Sequence, residues 1–209
     1  MDGIATKKID SRDRRQPIEA GSQLSTGDVV DTETAARVRV SLLPGLLADI
    51  GESSELHIEQ IRVAKDGNAM MDAMRAREVR LRLVRGSLTA VVEKNNQAIG
   101  TLTVDTPFGI VTAMAGTLCR IEVSDQRARI ICLRGNLQMQ ARGGSGAMLE
   151  TGFFEDWPSA IAAPRAVDED AQVQAEVVAA FDIQSELLSL ENRARFAPAP
   201  WRRTIPEKP

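Results

Sequence analysis

With one histidine, two cysteines and seven aromatic residues in 209, this sequence is short of the side chains that most chemistry uses. A single His57 excludes a multi-histidine zinc site and the H-E-x-x-H pattern; it reads as a strand-surface residue. Two cysteines do not fix a redox compartment by themselves. No apolar run approaches the ~18 residues of a membrane-spanning helix. The basic N-terminus (Lys7, Lys8, Arg12, Arg14, Arg15) has no apolar segment behind it, so it is not a signal peptide. A formal charge of −3 argues against a dedicated nucleic-acid binder, which is normally strongly basic. What remains is ordinary for a globular protein, 43% apolar and 26% charged, and long enough for one packed domain with appendages.

The residues that are present spell short strands. Residues 37–43 alternate apolar and polar, Pro44-Gly45 marks a turn, and Leu46 to Ile50 continues. Leu56, Ile58 and Val63 follow a polar turn, residues 64–77 read as an exposed loop, and Val79 to Leu83 resumes the alternation before Arg85-Gly86 and Leu88-x-Ala90-x-Val92. Residues 102–137 read as four strands in a row, and a Gly-rich loop at 141–146 ends them. Period-two alternation of this kind is the signature of half-buried strands. Gly45, Gly86, Gly109 and Gly135 each follow an apolar strand, at irregular spacings of 41, 23 and 26 residues. That irregularity suits sharp turns in a sandwich or roll better than a strict solenoid. The expected fold is therefore all-β, a two-sheet sandwich or short β-roll of strand–turn–Gly–strand units.

Six of the seven aromatics lie beyond residue 150 and six of the nine prolines beyond residue 157. Residues 168–195 form the one expected helix, with Asp168, Glu169 and Asp170 at its start and Val173, Val177, Phe181 and Leu188 near one face. The organisation expected is a mobile charged arm at 1–20, a β-domain at 21–158, a linker and C-terminal helix at 159–196, and a Pro-rich tail at 197–209 that carries Trp201-Arg202-Arg203.

Catalytic constellations are weak. The loop Gly143-Gly144-Ser145-Gly146 lacks the glycine that a nucleophile elbow needs at Ala147, and no carboxylate spacing stands out as a glycosidase pair. Met70, Met71 and Met74 with His57 are read as loop residues covering the core rather than a soft metal site. No cofactor, metal site or enzymatic activity is expected. Arg37/Arg39, Arg80/Arg82 and Arg127/Arg129 alternate with apolar residues and so point away from the core. They are either a solvated face or, on neighbouring strands, a cationic face for an anionic polymer. Phe153, Phe154 and Trp157 are either a cap on the core or an anchor for a partner.

The run Val104-Asp105-Thr106-Pro107-x-Gly109, then Gly116-Thr117 and Arg134-Gly135-x-Leu137, resembles the FecR domain. Gly86-Ser-Leu, Val92-Glu-Lys94, Leu43-Pro44-Gly45 and Ser54-Glu55-Leu56 are similar to its upstream steps. Ala115 stands where the family usually has Arg before Gly-Thr, and Pro44 where it has Asp. The likeness covers about residues 28–157. Iron-citrate-type members combine a cytoplasmic sigma-factor-binding segment, a membrane helix and this domain outside; only the last has a counterpart here. The resemblance thus implies a non-enzymatic extracytoplasmic binding module, periplasmic or secreted, with a protein or anionic glycan partner at the envelope. The second implied role is a sensor relaying a signal to a membrane or sigma-factor pathway partner.

A turn at 124–127 with antiparallel flanks places Val123 opposite Ala128, Glu122 opposite Arg129, Ile121 opposite Ile130, Leu118 opposite Leu133 and Cys119 opposite Cys132. Facing strand residues lie ~4.5–5.5 Å apart at Cα, within disulfide range. A Cys119–Cys132 bridge, favoured by the implied compartment, and two buried thiols are both open readings.

Overall fold

The computed structural model describes residues 3–9, 12–65, 74–94, 99–144, 146–158 and 163–196. The Asn95-Asn96 turn, Met70, Met71, Ser145 and the 197–209 tail lie outside these. Among the described residues there are fifteen strands and one α-helix. The protein is mostly β, with its helix at the C-terminal end, as the alternation implied.

The strands fall into two groups that share one long member. The first runs, in hydrogen-bonded order, β2 (Arg12–Pro17), β1 (Ala5–Ile9), β3 (Asp28–Thr32), β6 (Glu55–Lys65), β7 (Met74–Val92), β8 (Ile99–Thr106), β9 (Gly109–Met114), β12 (Asn136–Ala141) and β13 (Gly146–Glu150). The second runs β4 (Val38–Leu43), β5 (Leu46–Ile50), β7 again, β10 (Thr117–Val123), β11 (Ala128–Arg134), β14 (Phe153–Trp157) and β15 (Arg165–Ala166). All these pairings are antiparallel except β7 with β8. The strands therefore form one open, continuous hydrogen-bonded network joined through β7.

The N-terminal part of β7 pairs with β6 and β8, and its C-terminal part with β5 and β10. The change of partners falls at Gly86, whose φ is +87°. A Cβ there would lie 2.1 Å from Ser54 Oγ and 2.4 Å from Ser54 Cα, so the bend requires glycine on both counts. The larger of two apolar clusters draws on both groups, with Leu56, Leu81 and Val104 from the first and Ala48, Ile121 and Ile130 from the second. The burial pattern of β9 (Gly-Ile-Val-Thr-Ala-Met) alternates, whereas β5 (Leu-Leu-Ala-Asp-Ile) is buried at every position. A strand covered on both faces reads as a continuous apolar run, and the second cover is the helix.

That helix, α1 (Ala171–Phe196), follows a 3-10 turn at Val167–Glu169. Asp170 caps it: its Oδ1 accepts from the amides of Gln172 (2.9 Å) and Val173 (3.2 Å). Val173, Ala180, Ile183 and Leu187 pack on Leu47, Val91, Leu118, Ile131, Leu133 and Phe154.

Several expectations are corrected. Residues 5–9 and 12–17 are not a free arm: β1 pairs with both β2 and β3. Of the expected loop at 64–77, residues 64–65 belong to β6 and residues 74–77 to β7; residues 66–73 lie outside the described residues. The four repeat glycines do not share one role. Gly45 and Gly135 have positive φ in links between strands, Gly86 bends a strand, and Gly109 opens β9 without positive φ. Two strands, β13 and β14, follow the Gly-rich loop, and β15 returns to pair with β14 from within the expected linker. Phe181 is 44% exposed, not part of the buried face. A bulge beside Cys119 puts Leu118 opposite Arg134 rather than Leu133; the other hairpin pairs, Cys119–Cys132 included, are as expected.

Candidate functional site

The apolar contacts of α1 cover only part of the second group's outer face. The rest of that face carries charge. Asp49 on β5 is 1% exposed and lies between two guanidiniums, Arg37 at 3.5 Å and Arg39 at 3.2 Å. Burial pushes its carboxyl above the ordinary value, and the arginines oppose that rise. Arg39 also pairs with Glu186 of α1. On the neighbouring strands, Arg120 donates from Nη1 to Thr89 Oγ1 (3.2 Å). Its Nε faces Glu176 Oε2 at 3.7 Å, and both of these buried atoms lack a hydrogen bond. Glu176 also accepts from Arg129 Nη1 at 3.5 Å. Burial, with Glu122 nearby, raises the Glu176 pKa against the pull of Arg120 and Arg129. Further along, the Gly45 amide donates to Glu191 Oε1 at 2.8 Å. The carboxylates of α1 thus hold the helix to the strands at three points.

Beside this joint lies a cleft of about 670 Å³. Its walls come from the β3–β4 link, the β5–β6 turn, the β7 bend and the β10–β11 hairpin. Arg37, Arg85 and Arg120 line it together with Glu52, Glu122 and Asp125, so the two signs balance. Short polar groups brace the turns at its base. Thr32 Oγ1 donates to Gly51 O (2.7 Å), and Ser54 Oγ accepts from the Ser87 amide (2.9 Å). Two non-glycine residues on the wall, Ala35 (φ +62°) and Ser53 (φ +53°), are in the left-handed region. The Ala35 amide donates to Glu52 Oε2 at 2.7 Å, and the Ser53 amide to Glu33 O at 3.2 Å. Such conformations persist only where surrounding bonds enforce them, and they concentrate at functional sites.

The residues expected from the sequence separate. Arg37 lines the cleft, and Arg39 pairs with both Asp49 and Glu186. Arg129 is not on an open face: it is 4% exposed, donates to both carboxylate oxygens of Asp156 (2.8 and 3.3 Å) and lies 5.5 Å from the Phe154 ring centroid. Arg165 stacks on the same ring at 4.4 Å and pairs with Asp156 at 2.6 Å. Arg82, with Arg80, belongs to the other strand group and meets Glu59 (2.5 Å) and Asp105 (3.8 Å). Arg127 sits at the β10–β11 turn. The pairs therefore form no common cationic face. Of the aromatics, Phe154 and Trp157 are buried and Phe153 is 37% exposed. His57 pairs with Glu55 at 3.0 Å. Cys119 and Cys132 face each other as separate buried thiols; burial pushes the first up to about 12 and the second to about 11. Sequence reasoning missed Asp49, Arg120 and Glu176. Asp49 had a signal, as the one charge inside an apolar strand; Arg120 and Glu176 had none until the helix was placed.

A family model described as FecR protein matches residues 28–138. The chain belongs to the FecR family. The matched residues carry β3 through β11 and the first half of β12, including every strand of the cleft, whereas Glu176, Glu186 and Glu191 of α1 lie outside them. No curated protein matches this FecR chain. It is similar to two crystal structures of "a putative anti-sigma factor from Parabacteroides distasonis", each with a TM-score of 0.47, at 11% and 12% identity. Each match covers 66% of this chain, which spans 59% of the length of those solved chains.

Proposed function

We propose that this FecR chain is a non-enzymatic, extracytoplasmic signalling module that receives a protein partner in the cleft beside α1. The observation that carries the reading is the charge balance of that cleft, three arginines against three carboxylates. A surface with both signs complements another protein's mixed surface and fixes its orientation. A polyanionic glycan would meet Glu52, Glu122 and Asp125 as repulsion. The family match supplies the regulatory context. No helix among the described residues is long and apolar enough to cross a membrane. The test places a photo-crosslinking residue at Ser53, in the cleft, and a second at Thr103, on the other strand group. Cell-envelope protein from the source organism is then offered to each. One discrete protein adduct formed from position 53 and absent from position 103 supports the reading. Equal labelling at both positions, or binding of an acidic polysaccharide that Arg37→Ala abolishes, overturns it.

A further inference from the structure

An open sheet must protect its edges, because unpaired N–H and C=O groups template further pairing. Among the described strands this network ends in four edges. β2 carries the exposed Arg15 and closes on Pro17, so it has both a charge and a proline. β15 is two residues long. β4 has a bulge between Ser41 and Leu43, and its Arg39 is tied to Glu186 of α1. β13 has none of these devices. Its sequence is Gly-Ala-Met-Leu-Glu, without lysine, arginine or proline, and among the described strands it pairs with β12 alone. Met148 on it is 52% exposed. The adjoining outer face is uncharged: Ile110, Thr112, Gln138, Gln140 and Met148 line a shallow groove of about 530 Å³.

We propose that β13 pairs antiparallel with β13 of a second copy, about a two-fold axis through Met148. The strand is self-complementary in that register. Its small residues come first and its large ones last, so Gly146 meets the partner's Glu150, Ala147 meets the partner's Leu149, and the two Met148 side chains meet on the outer face. Every small side chain receives a large one. The one charge of the strand, Glu150, is carried to opposite ends of the new ladder, whereas a parallel pairing sets the two Glu150 side by side, which like charges oppose. Thr112, Gln138 and Met148 already form a row across β9, β12 and β13, and pairing doubles that row into one uncharged surface. The interface is isologous and therefore closes as a dimer. It is a short ladder, so the dimer is weak and concentration-dependent. The cleft lies elsewhere on the molecule, so this proposal stands or falls independently of it.

A residue on a two-fold axis meets itself, and facing strand residues are spaced for a disulfide. The test oxidises Met148→Cys with diamide and compares it with Met114→Cys, which is 47% exposed on β9 but off the axis. Met148→Cys is expected to form the disulfide-linked dimer at least about tenfold faster, while the buried Cys119 and Cys132 contribute no intermolecular bridge in the parent protein. Sedimentation of the parent chain should show a rise in apparent mass with concentration that Met148→Lys abolishes, with its thermal melt unchanged. Cross-linking of Met148→Cys no faster than Met114→Cys overturns the proposal, as does a parent chain that sediments like Met148→Lys at every concentration.

Discussion

Gly86 shows how much one position can constrain. It lies in the left-handed region, and its missing side chain makes room for Ser54, whose Oγ accepts the Ser87 amide and ties β7 to the β5–β6 turn. Gly86→Ala adds backbone strain of ~1–2 kcal/mol and a clash that costs about 1–3 kcal/mol. Urea unfolding should therefore show a loss of roughly 2–5 kcal/mol. Gly152 separates the two terms, since it has φ +86° but nothing within 4 Å of a Cβ. Gly152→Ala should lose only the backbone strain, ~1–2 kcal/mol; an equal loss at both sites would show that the Ser54 contact carries no weight. At this scale the sequence was partly legible. The facing of Cys119 and Cys132 follows from a local turn, which short-range residues determine. The burial of Arg129 does not, because Asp156 and Glu176 reach it from β14 and from a helix beyond the chain's last strand.

Among the elements, short strands bounded by turn residues were readable because period two and glycine are local signals. β7 was not, since the bend at Gly86 imitates a turn between two strands. β13 and β14 were hidden for another reason. Exposed edge positions such as Gly146 to Met148 need not alternate, and an aromatic run reads equally as a cap or an anchor. For α1 the start was legible through its acids, but the buried face was set by what it meets. Ala180 faces the strands and the larger Phe181 faces away, because a helix lying close over β5 and β10 has room for a methyl there. Leu187, 2% exposed, is the stronger contact. Leu187→Ala should destabilise by about 2–4 kcal/mol and make α1 the first segment cut in limited proteolysis. Phe181→Ala should stay within about 0.5 kcal/mol. The reverse ranking would mean that the helix sits on its other face.

In the whole molecule, the joint between α1 and the strands concentrates the buried charge that no single element contains. Its acids behave unlike ordinary surface carboxylates. Asp49 and Glu176 both have pKa values raised by burial, and their arginines offset only part of that. A carboxyl with a raised folded pKa binds its proton more tightly in the folded chain than in the unfolded one. Its contribution to stability is then fully present below the ordinary carboxylate pKa and is lost as pH rises through the raised value. These two groups thus run against the usual acid denaturation, in which carboxylates with depressed pKa values, such as Asp170 at the helix cap, lose their contribution as pH falls. The parent chain should consequently show a shallow decline in stability on acidification, where the two trends oppose each other. Asp49→Asn with Glu176→Gln removes the raised pair and leaves the depressed groups. Denaturant midpoints measured across the acid range should then fall more steeply with decreasing pH in the double variant than in the parent. If the two slopes coincide, Asp49 and Glu176 titrate alike in the folded and unfolded chains, and the joint is held by the apolar face of α1 rather than by charges that burial perturbs.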